Sequence, residues 1–327
     1  MKTELLPTSS ARERQHAANA AVELLRAGEI VALPTETVYG LAADALNPIA
    51  VAKIFEAKGR PRFDPLIVHL PDSEWFEKVA DLPSEDRQLI LSLVKKFWPG
   101  PLTIVLPRKT IVPEITTAGL DTIALRVSAH PVFADIVRAF GAPLAAPSAN
   151  RFGKISPTAA QHVFDELSGR ITLIVDAGPT IHGIESTIVS FRDGKIDILR
   201  RGPITSEQLS SFGDVKIAKP GDKILAPGQL ASHYAPKTPL RVVDDLKSFK
   251  LDGRCALLAW NPIQKDERFV VIRSLSERQD LREAAANLFR YLRELDALEL
   301  DLIVAERVPE KGLGPAILDR LQRASHA

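Results

Sequence analysis

Apolar residues recur at helical spacing at Ile49, Val51, Ala52, Ile54 and Phe55, between Asn47-Pro48, which suit an N-cap and a first helical position, and Gly59, a natural stop. A helix over residues 48–58 is predicted. Pro61 and Pro65 forbid its continuation, and the apolar run 66–70 reads as a short strand buried on both faces. Upstream, Ser9 or Ser10 can cap an alanine-rich helix ending near Gly28. Residues 29–33 then form a strand that delivers Pro34-Thr35-Glu36-Thr37-Val38-Tyr39-Gly40 at its end. Further strands are expected at 102–106, 123–127, 143–146, 171–175 and 186–191, and the Asp193-Gly194 turn pairs the last of these with 196–200. Crossovers mixed with hairpins imply an α/β domain over residues 1–212, built on a mixed, twisted sheet with flanking helices.

Residues 213–239 gather Pro220-Gly221, Pro227-Gly228, Pro236 and Pro239, the composition of a linker or lid. Beyond it, strands at 240–243, 255–260, 269–273 and 301–305 predict a smaller, Rossmann-like α/β domain over 240–327. A helix at 277–298 carries Leu281, Leu288, Leu292 and Leu295 on one face of it. Gly312-Leu313-Gly314 lacks the full dinucleotide-binding pattern; it reads as a tight turn and carries no site.

With 327 residues and 45% hydrophobic content the chain can build two cores. Its 42 basic and 41 acidic residues nearly cancel, so no bulk field draws it to nucleic acid or to an anionic membrane. No apolar run has secretory or membrane-spanning length, which predicts a cytoplasmic protein. The single cysteine, Cys255, lies in an apolar run and is expected to be a buried strand residue, without an internal disulfide or a thiolate-rich metal site. A Walker loop, a Gly-x-Ser-x-Gly elbow and a His-Glu-x-x-His motif are absent, so covalent and metalloenzyme chemistries lose their support.

Candidate chemistry lies instead in cations, hydroxyls and amides at strand ends. Lys58, Arg60 and Arg62 sit on the proline-stiffened connection; a solvated helix end also collects cations, but a clamp for a multiply charged anion gains from being ordered in advance. Pro147-Ser148-Ala149-Asn150 follows a strand and can meet phosphate or ribose oxygens, although an ordinary turn has the same composition. Ser156 precedes Pro157 at a helix start, and Glu185-Ser186-Thr187 and Arg200-Arg201-Gly202-Pro203 sit at the two ends of the predicted hairpin. Thr122 and Arg126 bracket a strand in which Arg126 needs a carboxylate, from the protein or from a ligand. His69, alone, reads as a satisfied core histidine.

In this order these segments, with the 227–236 stretch and the 312–321 terminus, resemble the YrdC-like threonylcarbamoyl-AMP synthases, in the long form with an extra C-terminal domain. The resemblance implies a nucleotidyltransferase that converts L-threonine, bicarbonate or CO₂, and ATP into threonylcarbamoyl-AMP and pyrophosphate. The product would serve threonylcarbamoyladenosine formation in tRNA through a downstream transferase. It places Thr35, His69, Arg126, Ala146 and Ser186 around threonine. It places Lys58, Arg60, Asp64, Thr122, Ser148, Asn150, Ser156 and Arg200 around ATP, with Lys58 and Arg60 catalytic. Tyr234 and Lys237 become lid contacts, and Mg²⁺ arrives with the ATP phosphates, the protein itself offering no dedicated metal cage. Asp64 departs from the family's usual Asn; an acceptor-only carboxylate repels phosphate, which leaves pairing with Arg62 or an approach to the metal. Two other readings are weaker: a non-catalytic RNA-binding module, disfavoured by the balanced charge, and a carbamoyl-adenylate transferase of hydrogenase maturation, whose zinc-finger cysteines are missing.

Overall fold

The structure, a computed structural model, describes residues 2–218, 234–261 and 265–326, so the Pro227-Gly228 to His233 part of the expected linker lies outside the described residues. The chain divides into two compact units, the first made of Met1–Phe152, Pro157–Thr180 and Glu185–Gln229. Its strands are β1 (Glu4–Pro7), β2 (Val31–Leu33), β3 (Gly40–Asp44), β4 (Ile67–His69), β5 (Leu102–Pro107) and β6 (Thr122–Arg126), followed by β7 (Leu144–Ala145), β8 (Leu173–Asp176), β9 (Thr187–Arg192), β10 (Lys195–Arg200) and β11 (Val215–Ile217). They form one sheet in the order β1-β8-β2-β3-β7-β4-β6-β5-β9-β10-β11, with parallel and antiparallel pairs mixed as the sequence predicts. The helices are α1 (Ala11–Arg26), α2 (Pro48–Lys58), α3 (Phe76–Val79), α4 (Arg87–Phe97), α5 (Pro131–Phe140), α6 (Ala160–Leu167) and α7 (Ser206–Leu209).

Strand alternation assigns the two faces of this sheet. Leu66, Val68, Leu70, Ile104, Leu106, Ile123 and Leu125 point to one side, where Val51, Ile54 and Phe55 of α2 and Ile90 and Leu93 of α4 complete the largest core. On the opposite side α1 and α5 cover the half of the sheet that runs from β1 to β7, through Val22, Leu25, Phe133 and Ile136. Over the remaining strands that side carries only a small cluster, Ile67, Val105, Ala124, Ile188 and Leu199, to which none of the described helices contributes. The candidate site lies there.

Three elements depart from expectation. β1 and β3 are not predicted, because Glu-Leu-Leu-Pro and Gly-Leu-Ala-Ala-Asp show no clean alternation and alanine has little strand preference; distant pairing of β1 with β8, and pairing of β3 with neighbouring β2 and distant β7, make them strands. β11 lies inside the stretch whose composition reads as linker and pairs in parallel with β10. Ile49 belongs to the apolar pattern of α2 yet is 73% exposed, since the buried stripe runs through Ala50, Val51, Ile54 and Ala57.

The second unit comprises Gly153–Ser156, Ile181–Ile184 and Leu230–Ala327. Strands β12 (Leu240–Val243), β13 (Cys255–Ala259), β14 (Val271–Ser274) and β15 (Leu302–Glu306) form an all-parallel sheet in the order β12-β15-β13-β14, accompanied by α8 (Leu281–Asp296) and α9 (Gly314–Ala324). Cys255 is fully buried in β13. Asp280 caps α8, which therefore starts at Leu281 and not at 277. No described helix is long and apolar enough to cross a membrane.

Leu125→Ala should cost about 2–5 kcal/mol in urea unfolding, because it opens a cavity in the largest core. Ile49→Ala should stay within about 0.5 kcal/mol, and equal losses in the two would contradict the assignment of faces.

Candidate active site

His69 and Arg126 end the neighbouring parallel strands β4 and β6 and are paired in register. Antiparallel β5 sets Ile104 opposite Leu125, and continuing that register by one residue places Thr103 opposite Arg126. The Thr103 hydroxyl is 2.8 Å from the Ser186 hydroxyl, which in turn accepts from Arg200 Nη2 at 2.9 Å, while Arg200 Nε donates to the Ser186 carbonyl at 3.0 Å. A polar row, His69, Arg126 and Thr103, thus crosses β4, β6 and β5 and continues through Ser186, just before β9, to Arg200 at the end of β10, and Ile67, Ala124, Val105, Ile188 and Leu199 form the apolar floor beside it. Gly202 makes the far end possible: a Cβ there would come within 2.4 Å of the Thr187 nitrogen and 2.5 Å of the Glu185 carbonyl. Thr122 lies on the same face as Arg126, about 13 Å away along β6, and its buried hydroxyl has no hydrogen-bond partner among the described residues.

Arg126 finds its carboxylate within the protein, in Glu36. Nη2 lies 2.7 Å from Glu36 Oε1, both side chains almost fully buried, while Nη1 donates to Thr37 Oγ1 at 3.0 Å and Nε to the Gly100 carbonyl at 3.1 Å. Of the two sources the sequence leaves open, protein or ligand, the protein supplies one. The Nη2 to Oε1 contact is off the line of a hydrogen bond, which leaves donor capacity on the guanidinium. Ser128 Oγ donates to Glu36 Oε2 at 2.5 Å. Burial alone would raise the Glu36 pKa, but the charge of Arg126 and the hydrogen bond from Ser128 outweigh it and hold the carboxyl at about 2. His69 goes the other way for a base: burial, then the Arg126 charge, brings it to about 3, so it is a neutral imidazole near pH 7, and its Nδ1 has no hydrogen-bond partner among the described residues.

The Pro34–Gly40 loop is fastened over the sheet by its own residues. Thr35 Oγ1 donates to the Val38 carbonyl at 2.6 Å and accepts from the Thr37 and Val38 amides, and Tyr39, fully buried, donates its hydroxyl to the Gly178 carbonyl at 2.8 Å. The Tyr39 carbonyl and the Leu41 amide then pair with Ala149 and Pro147, which draws the 147–150 segment alongside, while the Ala146 amide bonds the Ile67 carbonyl. Lys58 reaches that segment from the end of α2. Its Nζ donates to the carbonyls of Ser148 (2.6 Å) and Asn150 (2.5 Å), and its own carbonyl accepts from Phe152. Lys58 is 1% exposed and its ammonium has no carboxylate within salt-bridge distance among the described residues; burial, then the nearby Arg60, pushes its pKa well down.

Asp64 pairs with Arg60, at 2.8 Å, and not with Arg62, which is exposed. Arg60 also donates to the Asp64 and Pro65 carbonyls. Burial pushes the Asp64 carboxyl up, against the charges of Arg60, Lys58 and Arg200. Ser156 falls in the second unit. Tyr234 does too: its ring is buried 5.2 Å from Phe289 with the Arg320 guanidinium over it, and Lys237 is exposed. Reading the sequence missed Glu36, Thr37, Thr103 and Ser128; the available signals were a carboxylate within a motif already singled out and a lone hydroxyl in the apolar run 102–106.

A family model described as Telomere recombination matches residues 23–202, and one described as Threonylcarbamoyl-AMP synthase, C-terminal domain, matches residues 204–326. Relatives named threonylcarbamoyl-AMP synthase from Pyrococcus abyssi and Bacillus subtilis are 40% and 41% identical, over 93% of this chain and 93% and 92% of theirs. The chain belongs to the threonylcarbamoyl-AMP synthase family. It is accordingly an enzyme, a transferase. The crystal structure of P. abyssi Sua5 complexed with L-threonine superposes with a TM-score of 0.90 at 36% identity, covering 99% of this chain and 98% of that one.

In this member of the threonylcarbamoyl-AMP synthase family, Glu36→Gln should cost about 3–5 kcal/mol at pH 7, since it leaves the Arg126 cation buried without its counter-charge. The folded carboxyl titrates below its unfolded value, so the stabilisation is complete above about pH 4.5 and is lost as pH falls toward 2. Denaturant titrations at several pH values should show the wild-type advantage shrinking along that limb; a pH-independent difference would contradict the ion pair.

Proposed function

We propose that the protein joins L-threonine, bicarbonate or CO₂, and ATP into threonylcarbamoyl-AMP and pyrophosphate, in the cytoplasm, for the threonylcarbamoyladenosine modification of tRNA. The observation that carries this reading is the polar row itself: a buried guanidinium and a neutral imidazole at one end, Arg200 at the other, and a buried ammonium held only by carbonyls in the adjoining loop. The Arg126 end suits the carboxylate of an amino acid, with Thr35, Ala146 and Ser186 around it and His69 Nδ1 as an acceptor for its amine or hydroxyl. The small apolar floor suits a methyl group. Lys58, Arg60, Thr122, Ser148, Asn150 and Arg200 suit a triphosphate and its nucleoside.

In the chemistry so assigned, the threonine amine adds to CO₂, losing a proton, and a carbamate oxygen attacks the α-phosphorus of ATP while the bond to the β-phosphate oxygen breaks. Pyrophosphate carries away the electron pair, so no side-chain nucleophile is required. The protein's part is orientation and charge. Lys58 is held with its charge uncompensated by any carboxylate contact among the described residues, so an arriving phosphate restores its pKa and gains a desolvated, preoriented cation. Magnesium enters as part of the ATP complex: the described residues offer no cluster of acids and histidines for it, and Asp64 is engaged by Arg60.

The wild-type protein should release pyrophosphate from ATP only when L-threonine and bicarbonate are both present. Lys58→Met, which replaces a buried cation by an apolar chain of similar length, should lower kcat about 10²- to 10³-fold and leave threonine affinity within about threefold. Wild-type turnover in Lys58→Met would remove Lys58 from the reaction. Arg60→Ala is a poorer probe, since it strands the Asp64 carboxylate.

A further inference from the structure

The Thr103 and Ser186 hydroxyls form a pair whose protons can be counted. Ser186 Oγ accepts from Arg200 Nη2 at 2.9 Å and lies 2.8 Å from Thr103 Oγ1, with either oxygen able to donate to the other. Both residues are fully buried, and among the described residues neither hydroxyl has a further partner. Two hydroxyls carry two protons, and their mutual bond uses one. The other has no acceptor among the described residues, and a buried donor left unpaired costs about 1–3 kcal/mol. The guanidinium groups on either side, Arg126 opposite Thr103 and Arg200 on Ser186, can only donate and offer it none.

Position decides which oxygen keeps the surplus proton. Thr103 lies inside β5, paired with Ile188 of β9 on one side and facing Arg126 of β6 on the other, whereas Ser186 lies just before β9, near the end of β10 that carries Arg200. The main chain around Ser186 is already fixed. The Thr187 amide donates to the Pro101 carbonyl at 3.0 Å, the Ser186 carbonyl accepts from Arg200 Nε at 3.0 Å, and a Cβ on Gly202 would come within 2.6 Å of the Ser186 carbonyl carbon. Only the rotation of its hydroxyl remains to be set. Resting on the reaction proposed above, we propose that Thr103 is a positioning residue for the amino-acid substrate: by donating to Ser186 it fills the second lone pair of that oxygen, and so reserves the Ser186 proton for an oxygen of the substrate. Thr103 itself does not touch substrate and acts through Ser186.

The test is a double-mutant cycle in the full chain, read by L-threonine calorimetry without nucleotide, with thermal melting to establish folding. Thr103→Val keeps the shape and removes the hydroxyl; it should weaken threonine binding about tenfold, and Thr103→Ser, which restores the hydroxyl, should stay within about threefold of wild type. Ser186→Ala should also weaken binding about tenfold. In that background Thr103→Val should change the affinity by less than about twofold, because the group it acts through is gone. Wild-type affinity in folded Thr103→Val, or an equal loss in both backgrounds, would overturn the proposal, since a loss of general packing does not depend on Ser186. Thr103→Ala removes the same hydroxyl and takes the place of Thr103→Val if that variant does not fold. A wild-type protein that binds no threonine would refute the proposed reaction and this role with it, a result distinct from threonine binding without coupling, which refutes the role of Thr103 alone.

Discussion

A guanidinium buried on a sheet face has to be neutralised, and the way Arg126 is neutralised organises the surrounding structure. Glu36 can reach it only if the Pro34–Gly40 loop folds back over the sheet, and the Thr35 turn and the Tyr39 hydroxyl hold the loop in that position. The loop in turn carries the 147–150 segment with it by main-chain pairing. Leaving a charge of this kind unpaired costs about 3–5 kcal/mol, a large part of a domain's net stability, so the ion pair and the loop are energetically one unit. The geometry of the resident pair is imperfect, and in the proposed function that imperfection is what lets Arg126 take a second carboxylate.

The cations of the adjoining loop are managed differently. Arg60 is matched by Asp64, whereas Lys58 is held by two carbonyl dipoles, which orient an ammonium without cancelling its charge. A fold that tolerates this gives up some stability for a site that is already desolvated when an anion arrives. In the reaction proposed above, a carbamate and a triphosphate supply their own nucleophile and leaving group, so no covalent apparatus is required.

Much of this was legible in the residues. The α2 helix, its Gly59 end, the β4 strand and the β9–β10 hairpin follow from local pattern, because capping, proline and turn chemistry act over a few residues. β1 was not legible, since its partner β8 lies far away in sequence; β3 and β11 pair with the nearby β2 and β10, and it was their indifferent composition that hid them. The need of Arg126 for a carboxylate was readable from its apolar strand, but the choice of Glu36 depends on how a loop folds back across other strands. Asp64 shows the same limit: its pairing with Arg60 depends on the turn made between Pro61 and Pro65.

The account turns on Arg126 offering its remaining donors to a substrate carboxylate. Calorimetric titration of L-threonine against L-threoninamide, without nucleotide, tests this directly, because the amide keeps the methyl, hydroxyl and amine and removes only the negative charge. The amide should bind about 100-fold more weakly or worse, as expected when a site built for a polar group meets a ligand lacking it. Equal affinities would mean that Glu36 satisfies Arg126 completely and that the amino acid is held elsewhere.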